Sequence, residues 1–313
     1  MAIAFTFPGQ GSQNVGMGKD LAEAFPEAKA VFEEVDDALG EKLSDIMWEG
    51  PQETLTLTAN AQPALMAVSM AAIRSMEARG LSLADKISYV AGHSLGEYSA
   101  LGAAGMFSIA DTARLLRIRG NAMQEAVPVG AGAMAAIIGL DQDDIEAVCR
   151  EVEGDGVCQI ANDNGGGQIV ISGATAAVER AAALSTEKGA KRAILLPVSA
   201  PFHSALMEPA AEKMQLALAD VTKHAPRVPV VANVTVAPLS DPDEIARRLV
   251  EQVTGRVRWR ETVEWFGAND VTTLYEIGAG KVLTGLIRRI DRNISGIAVN
   301  TPDDVETALG VLG

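Results

Sequence analysis

The sequence predicts an α/β fold: a mainly parallel sheet covered by helices, with a smaller second sheet inserted into it. Two observations lead there. Before residue 129 and again after residue 197, short apolar runs alternate with helical stretches, the pattern of parallel strands joined by helices. Between them the order changes to β-α-β-β-α-β, that of a ferredoxin-like unit. The composition agrees, since 48% of the 313 residues are hydrophobic and only 4% aromatic, as suits small helical faces packed closely on a sheet. The length fits one large α/β domain or two smaller ones.

Residues 3–7 read as a buried strand, followed by the glycine-rich loop Pro8-Gly9-Gln10-Gly11-Ser12-Gln13. Residues 20–38 and 61–79 read as helices, with Pro63 breaking into the second near its start. Residues 87–91 form the next strand, then come helices over 97–105 and 111–124. In the middle segment, strands are expected at 132–138, 157–161, 168–172 and 192–198, with helices at 141–152 and 174–188. The chain then continues with helices at 206–222, 241–254, 259–266 and 282–290, and strands at 228–233, 273–277 and 296–299. This divides the chain into a catalytic domain, 1–128 with 198–313, and an inserted ferredoxin-like subdomain, 129–197. Neither internal repeats nor a low-complexity linker interrupts it.

Gly92-His93-Ser94-Leu95-Gly96 carries the chemistry. Strand, Gly-x-Ser-x-Gly, then helix is the sequence form of a nucleophile elbow. The glycines allow a sharp turn and close packing, and leave the serine hydroxyl exposed on it. The helix behind supplies free N–H groups where an oxyanion could be held. A serine needs a base, and the chain has three histidines. His93 is the serine's neighbour on a tight turn and points away. His224 lies at the polar end of a helix. His203, in Ser199-Ala200-Pro201-Phe202-His203-Ser204 between a strand end and a helix start, is the favoured base, although a capping or buried structural histidine would have the same spacing. No acid lies between Glu187 and His203, so a backbone carbonyl or an amide would orient the imidazole, unlike the order of an ordinary esterase.

Arg114 and Arg117 share one helix face and Arg119 points elsewhere. An inward arginine needs a carboxylate, from the protein or from a substrate, which its fork can bind bidentately. Gly9-Gln10-Gly11 has the wrong spacing for a dinucleotide loop, but a glutamine after the first strand could donate to an oxyanion. Gly165-Gly166-Gly167 reads as a turn.

The net charge of −15 argues against nucleic acid as a partner. It is unevenly spread. Residues 1–60 hold three lysines against eleven carboxylates, whereas 247–292 hold nine Lys/Arg against six. That basic stretch is either a face for an anionic partner or ordinary solvated charge. Cys149 and Cys158 make neither a disulfide framework nor a metal site and read as buried thiols. No run is long and apolar enough for a membrane span. The N-terminal stretch Met1-Ala2-Ile3-Ala4-Phe5-Thr6-Phe7 reads as a strand, not a signal peptide, so the cytoplasm is the expected compartment.

Taken together, the residues resemble the malonyl-CoA:acyl carrier protein transacylases, the acyltransferase family of fatty acid and polyketide synthesis, over essentially the whole length. The resemblance rests on Phe7-Pro8-Gly9-Gln10-Gly11-Ser12-Gln13, Gly92-His93-Ser94-Leu95-Gly96-Glu97, Arg119-Gly120 with Met123-Gln124-Glu125-Ala126-Val127-Pro128, Asn164 with Gln168-Ile169-Val170-Ile171-Ser172-Gly173, Phe202-His203, and Glu251-Gln252 before Val257-Arg258-Trp259. It implies an α/β-hydrolase-like core with a ferredoxin-like insertion. It implies Ser94 as nucleophile, His203 as base and then acid, and the N–H groups of Gln10 and Leu95 as the oxyanion hole. Arg119 would bind the malonyl carboxylate, Gln252 would orient His203, and Phe202 would leave little room for an α-methyl branch. The implied partners are malonyl-CoA and an acidic acyl carrier protein, which the basic stretch would suit. No metal or cofactor of the chain's own is implied, because malonyl-CoA is a substrate and phosphopantetheine sits on the carrier. One departure is visible: Gly165-Gly166-Gly167 stands where many members have a small residue and proline.

Overall fold

The computed structural model describes residues 2–198 and 200–313; Met1 of the N-terminal stretch and Ser199 of the histidine loop lie outside the described residues. Its strands are β1 (Ala2–Phe7), β2 (Tyr89–Gly92), β3 (Gly132–Ile138), β4 (Cys158–Asp163), β5 (Gln168–Ala174), β6 (Arg192–Leu195), β7 (Val230–Val231), β8 (Pro238–Leu239), β9 (Val271–Ile277) and β10 (Ser295–Val299). They form two sheets. The larger runs β10-β9-β1-β2-β7-β8 and is parallel except for the β7/β8 edge; the smaller runs β4-β5-β3-β6 and is antiparallel throughout.

Strand alternation explains why the large sheet is buried on both faces. Phe5, Phe7, Val90 and Val230 point into one apolar core, and Ala4, Ala91 and Val231 into another. The first core is filled by Thr58–Ala78, a helix buried almost all round, and by Gly96–Ala104 and Ile109–Glu125. The second is covered by Trp259–Ala268 and Val282–Ile290. The small sheet has its own core, in which Ile137, Ile169 and Ile171 meet Ile145, Val148 and Val178. Glu276, buried in β9, accepts from the Leu283 and Thr284 N–H groups at 2.9 and 2.7 Å, so a carboxylate caps the N-terminus of Val282–Ile290.

Several expected elements are corrected. The helix expected at 20–38 is two, Lys19–Ala24 and Pro26–Leu39. Pro26 lacks an N–H and forces Phe25 into an extended conformation at φ −128°. The helix expected at 61–79 starts earlier, at Thr58, and carries Pro63 within it. The strand expected at 228–233 pairs only over Val230–Val231, next to Pro229. The helix expected at 206–222 begins at Glu208, after one 3₁₀ turn. Helices Leu43–Glu49, Gln52–Thr56, Leu83–Lys86 and Pro302–Leu312 were not anticipated. No helix among the described residues is long and apolar enough to cross a membrane.

Candidate active site

The site lies beyond the C-terminal ends of β1 and β2, where open parallel sheets place their ligands. β2 ends at Gly92 and the chain turns through Ser94 into Gly96–Ala104. A Cβ on Gly92 would fall 1.9 Å from the Gly96 carbonyl carbon, and one on Gly96 would fall 2.2 Å from the Phe7 oxygen. Any side chain at either position would push the helix off the sheet. Ser94 itself has φ 54°, a left-handed conformation that costs a non-glycine residue on the order of 1–3 kcal/mol. Side chains hold it there. The Ser94 N–H donates to Asn233 Oδ1 at 2.8 Å, Asn233 Nδ2 donates to the Gly92 carbonyl at 2.6 Å, and Gln252 Nε2 donates to the Ser94 carbonyl at 2.9 Å. Around the turn the N–H groups of His93, Ser94, Gly96, Glu97 and Tyr98 are all taken; those of Leu95 and Gln10 have no acceptor among the described residues.

His203 comes to the serine from the loop after β6. Its Nε2 lies 2.7 Å from Ser94 Oγ, and its Nδ1 lies 2.9 Å from the Gln252 carbonyl oxygen and 3.0 Å from that of Gly255. A carbonyl only accepts, so Nδ1 carries the proton and Nε2 receives the Ser94 hydroxyl. Burial, and then the nearby Arg119 charge, push the His203 pKa down to about 3. The ring is therefore neutral at neutral pH, the form a base must have. The expected link between Gln252 and His203 runs through the main chain. The side chain of Gln252 points elsewhere, toward Ser94, Glu97 and Arg119. Of the two groups left open in place of an acid, a backbone carbonyl or an amide, it is the carbonyl that meets Nδ1.

Arg119 is 1% exposed. Its Nη1 donates to Gln62 Oε1 at 2.7 Å, and its Nη2 donates to Gln252 Oε1 at 2.9 Å and to Ser94 Oγ at 3.2 Å. No carboxylate touches it among the described residues, so a buried cation faces the serine held only by neutral groups. Arg114 pairs with Asp111, and Arg117 with Glu41 and Asn60, on the outer side of the same helix. His93 bonds to Asn164 Oδ1 at 2.9 Å, and His224 is exposed.

Gln10, Ser94, Leu95, Arg119, Phe202 and His203 line one cavity of about 620 Å³. Phe202 is nearly buried in its wall, and Gln10 Oε1 accepts from Thr58 Oγ1 at 2.9 Å. Met134 and Val170 of the small sheet also line it, as do Lys281 and Arg289. Gly165 and Gly166 pack on Ile290 and Arg289, where added Cβ atoms would fall 2.3 and 2.9 Å from those side chains.

The basic stretch is largely paired within the protein. Arg247 and Arg248 bind Glu244, Arg248 also binds Glu251, Arg256 binds Glu146, Arg258 binds Glu261, and Arg260 binds Asp163 and Glu264. Lys281, Arg288, Arg289 and Arg292 have no ion pair among the described residues and gather on and beside Val282–Ile290. Sequence reasoning passed over Gln62, Asn233 and Glu97. Only Glu97 carried a signal: a lone carboxylate in an otherwise small and apolar helix must find buried polar partners.

The acyl transferase domain family matches residues 4–301. The malonyl CoA-acyl carrier protein transacylase of Bacillus subtilis strain 168 is 48% identical over 311 residues, covering 99% of this chain and 97% of that protein. The crystal structure of an acyl-carrier-protein-S-malonyltransferase from Bartonella henselae has a TM-score of 0.99 at 67% identity over the whole of both chains. A malonyl-transacylase in complex with its type II PKS acyl-carrier protein has a TM-score of 0.96 at 45% identity, covering 99% of this chain and 100% of that one. With a match of this length, on a chain whose serine, histidine and arginine converge in one cavity, the protein belongs to the acyl transferase family.

Proposed function

We propose that this acyltransferase moves a malonyl group from malonyl-CoA to the phosphopantetheine thiol of an acyl carrier protein, through an ester on Ser94. The observation that carries the reading is the convergence of three groups: Ser94 Oγ is 2.7 Å from His203 Nε2 and 3.2 Å from Arg119 Nη2. The first pair activates a nucleophile. The arginine, buried with no contacting carboxylate among the described residues, selects an acyl group that brings one.

In the first half-reaction the malonyl carboxylate binds the Arg119 fork. The Ser94 hydroxyl gives its proton to His203 Nε2 and Oγ attacks the thioester carbon. The N–H groups of Leu95 and Gln10 receive the oxyanion, a role supported by their having no acceptor among the described residues. The C–S bond breaks, and His203 returns the proton to the departing CoA sulfur. In the second half the carrier thiol gives its proton to His203 and attacks the ester carbon; the C–O bond to Ser94 breaks and His203 returns the proton to Ser94 Oγ. The Gln252 and Gly255 carbonyls stand where an acid would stand in a triad, keeping the proton on Nδ1. Phe202 in the cavity wall crowds an α-methyl branch. This chemistry calls on side chains and the two thiols, with no metal or cofactor of the chain's own.

The cations without an ion pair among the described residues, Lys281 and Arg289 in the cavity lining with Arg288 and Arg292 near them in the chain, suit an acidic carrier. We also read the chain as an α/β-hydrolase-like core, 1–128 with 198–313, bearing a ferredoxin-like insertion at 129–197. The separate apolar core and the β4-β5-β3-β6 order support that division. A cytoplasmic location fits the carrier and CoA substrates.

The test is intact-mass analysis after mixing with malonyl-CoA. A malonyl adduct should form, persist in water, disappear when carrier thiol is added, and be absent from Ser94→Ala. Rapid loss to water without carrier would make the protein a thioesterase instead.

A further inference from the structure

Glu97 is the only charged residue of the elbow helix Gly96–Ala104, and it is fully buried. One of its oxygens does two things. Oε2 accepts from Gln252 Nε2 at 2.8 Å and from the Asn233 N–H at 3.1 Å. Those two residues grip the strained serine from opposite sides: Asn233 Oδ1 takes the Ser94 N–H and Gln252 Nε2 meets the Ser94 carbonyl. Gln252 then reaches further. Its Oε1 holds Arg119 at 2.9 Å, and its main-chain oxygen holds His203 Nδ1 at 2.9 Å. Nucleophile and arginine are thus tied to the side chain of Gln252 and the base to its main chain, and that side chain is tied to Glu97.

We propose, resting on the roles given above to Ser94, His203 and Arg119, that Glu97 is a positioning residue: its Oε2, acting as a hydrogen-bond acceptor, joins Asn233 to Gln252 and so holds the serine, the histidine and the arginine in register. The acceptor is what matters, not the charge. Oε1 is buried with no partner among the described residues. Burial raises the Glu97 pKa to about 7, against the opposing pull of Gln252, Asn233 and Arg119. A proton taken up near neutrality can sit on Oε1 while Oε2 goes on accepting both bonds. The neighbouring Tyr98 hydroxyl is also buried and carries its proton throughout the neutral range, because burial raises its pKa.

Two substitutions separate acceptor from charge. Glu97→Gln keeps a carbonyl oxygen in reach and removes the charge. Glu97→Asp keeps the charge and withdraws the oxygen by one methylene. Both are assayed for the rate of Ser94 malonylation by intact mass, for kcat and KM with malonyl-CoA, and for Tm. Glu97→Gln should stay within about threefold of the wild type, with an unchanged pH profile between 6 and 8. Glu97→Asp should load at least tenfold more slowly, with KM for malonyl-CoA raised as Arg119 loses its hold, and should cause no further loss when added to Gln252→Ala. Glu97→Gln as slow as or slower than Glu97→Asp would overturn the proposal, as would a Glu97→Asp loss that adds in full to that of Gln252→Ala. A wild-type protein that fails to load malonyl at all would instead overturn the assigned reaction, whatever the variants do.

Discussion

Replacing Arg119 by alanine should change which acyl group the protein prefers. The guanidinium is held on one side by Gln62 and on the other by Gln252, and it faces the serine. A malonyl carboxylate arriving there gains charge-assisted hydrogen bonds of about 1.5–3 kcal/mol each. Two such bonds, less the cost of stripping water from the carboxylate, leave roughly 2–4 kcal/mol. That corresponds to a fall of about 30- to 1000-fold in kcat/KM for malonyl-CoA. An acetyl group has no carboxylate to lose and forfeits only the 3.2 Å contact from Nη2 to Ser94 Oγ. Its kcat/KM should fall by no more than about tenfold. Stability should change little. The unpaired Gln62 and Gln252 oxygens cost energy, but removal of a buried cation without a contacting carboxylate offsets it. Arg119→Lys should behave similarly, since an ammonium cannot bridge both glutamines and a carboxylate in fork geometry. The assay is competitive loading from malonyl- and acetyl-CoA, read by intact mass, with Tm as the control for folding. An equal fall for both acyl groups in a folded variant would refute the role given to Arg119.

The low pKa of His203 sets the pH behaviour of loading. Because the folded value lies near 3, below the usual 6.5, the ring stays a base as pH falls, and kcat/KM for loading should be level from pH 7 to 5. An ordinary histidine would lose more than about tenfold over that range, and such a loss would show that burial does not control this ring. Gly96→Ala places a Cβ 2.2 Å from the Phe7 oxygen. It should lower the unfolding free energy by about 1–3 kcal/mol and, by displacing Ser94, cut loading on the order of 100-fold even where the protein folds; wild-type loading would contradict the close-packing argument. Raising salt from 50 to 300 mM should raise KM for the carrier protein by screening Lys281, Arg288, Arg289 and Arg292. A salt-independent KM would remove those residues from carrier docking.

The elbow was legible because its requirements are local. A strand, a tight turn and a helix leave their marks in consecutive residues, and the two glycines stand where no Cβ fits. His203 was legible by elimination, since the chain offers only three histidines. Phase set Arg119 apart from Arg114 and Arg117, and the resemblance gave it its role, but its neutral companions were not legible, because Gln62 and Gln252 come from other helices. The role of Gln252 was half legible. A residue's side chain can be read from sequence, whereas every residue has a carbonyl, and which one meets Nδ1 is decided by the end of the Pro242–Thr254 helix. The missed helices Leu43–Glu49, Gln52–Thr56 and Leu83–Lys86 are too short to show a helical period. Pro302–Leu312 had a clear start signal in the capping box of Thr301 and Asp304, and it was passed over. Whether the basic stretch was a face or solvated charge stayed open in the sequence because counting charge ignores pairing; five of its arginines are spent on carboxylates of the protein itself.

A serine–histidine pair without an acid has a particular consequence here. In a triad the carboxylate stabilises the imidazolium that forms when the serine is deprotonated. The Gln252 and Gly255 carbonyls offer dipoles in its place, and Arg119 nearby opposes a second positive charge. The free site is therefore a poor place to form imidazolium. A bound malonyl carboxylate reverses this. It neutralises Arg119, the second cause of the depressed pKa after burial, and so raises the basicity of His203 only while the correct acyl group is in place. Selection then acts on kcat as well as on KM. The acid limb of kcat for malonyl loading should lie at higher pH than that of kcat/KM, because the former reports the occupied site and the latter the free one. With acetyl-CoA the two limbs should coincide. The cation that recognises the substrate would thus also restrain the base until the substrate arrives.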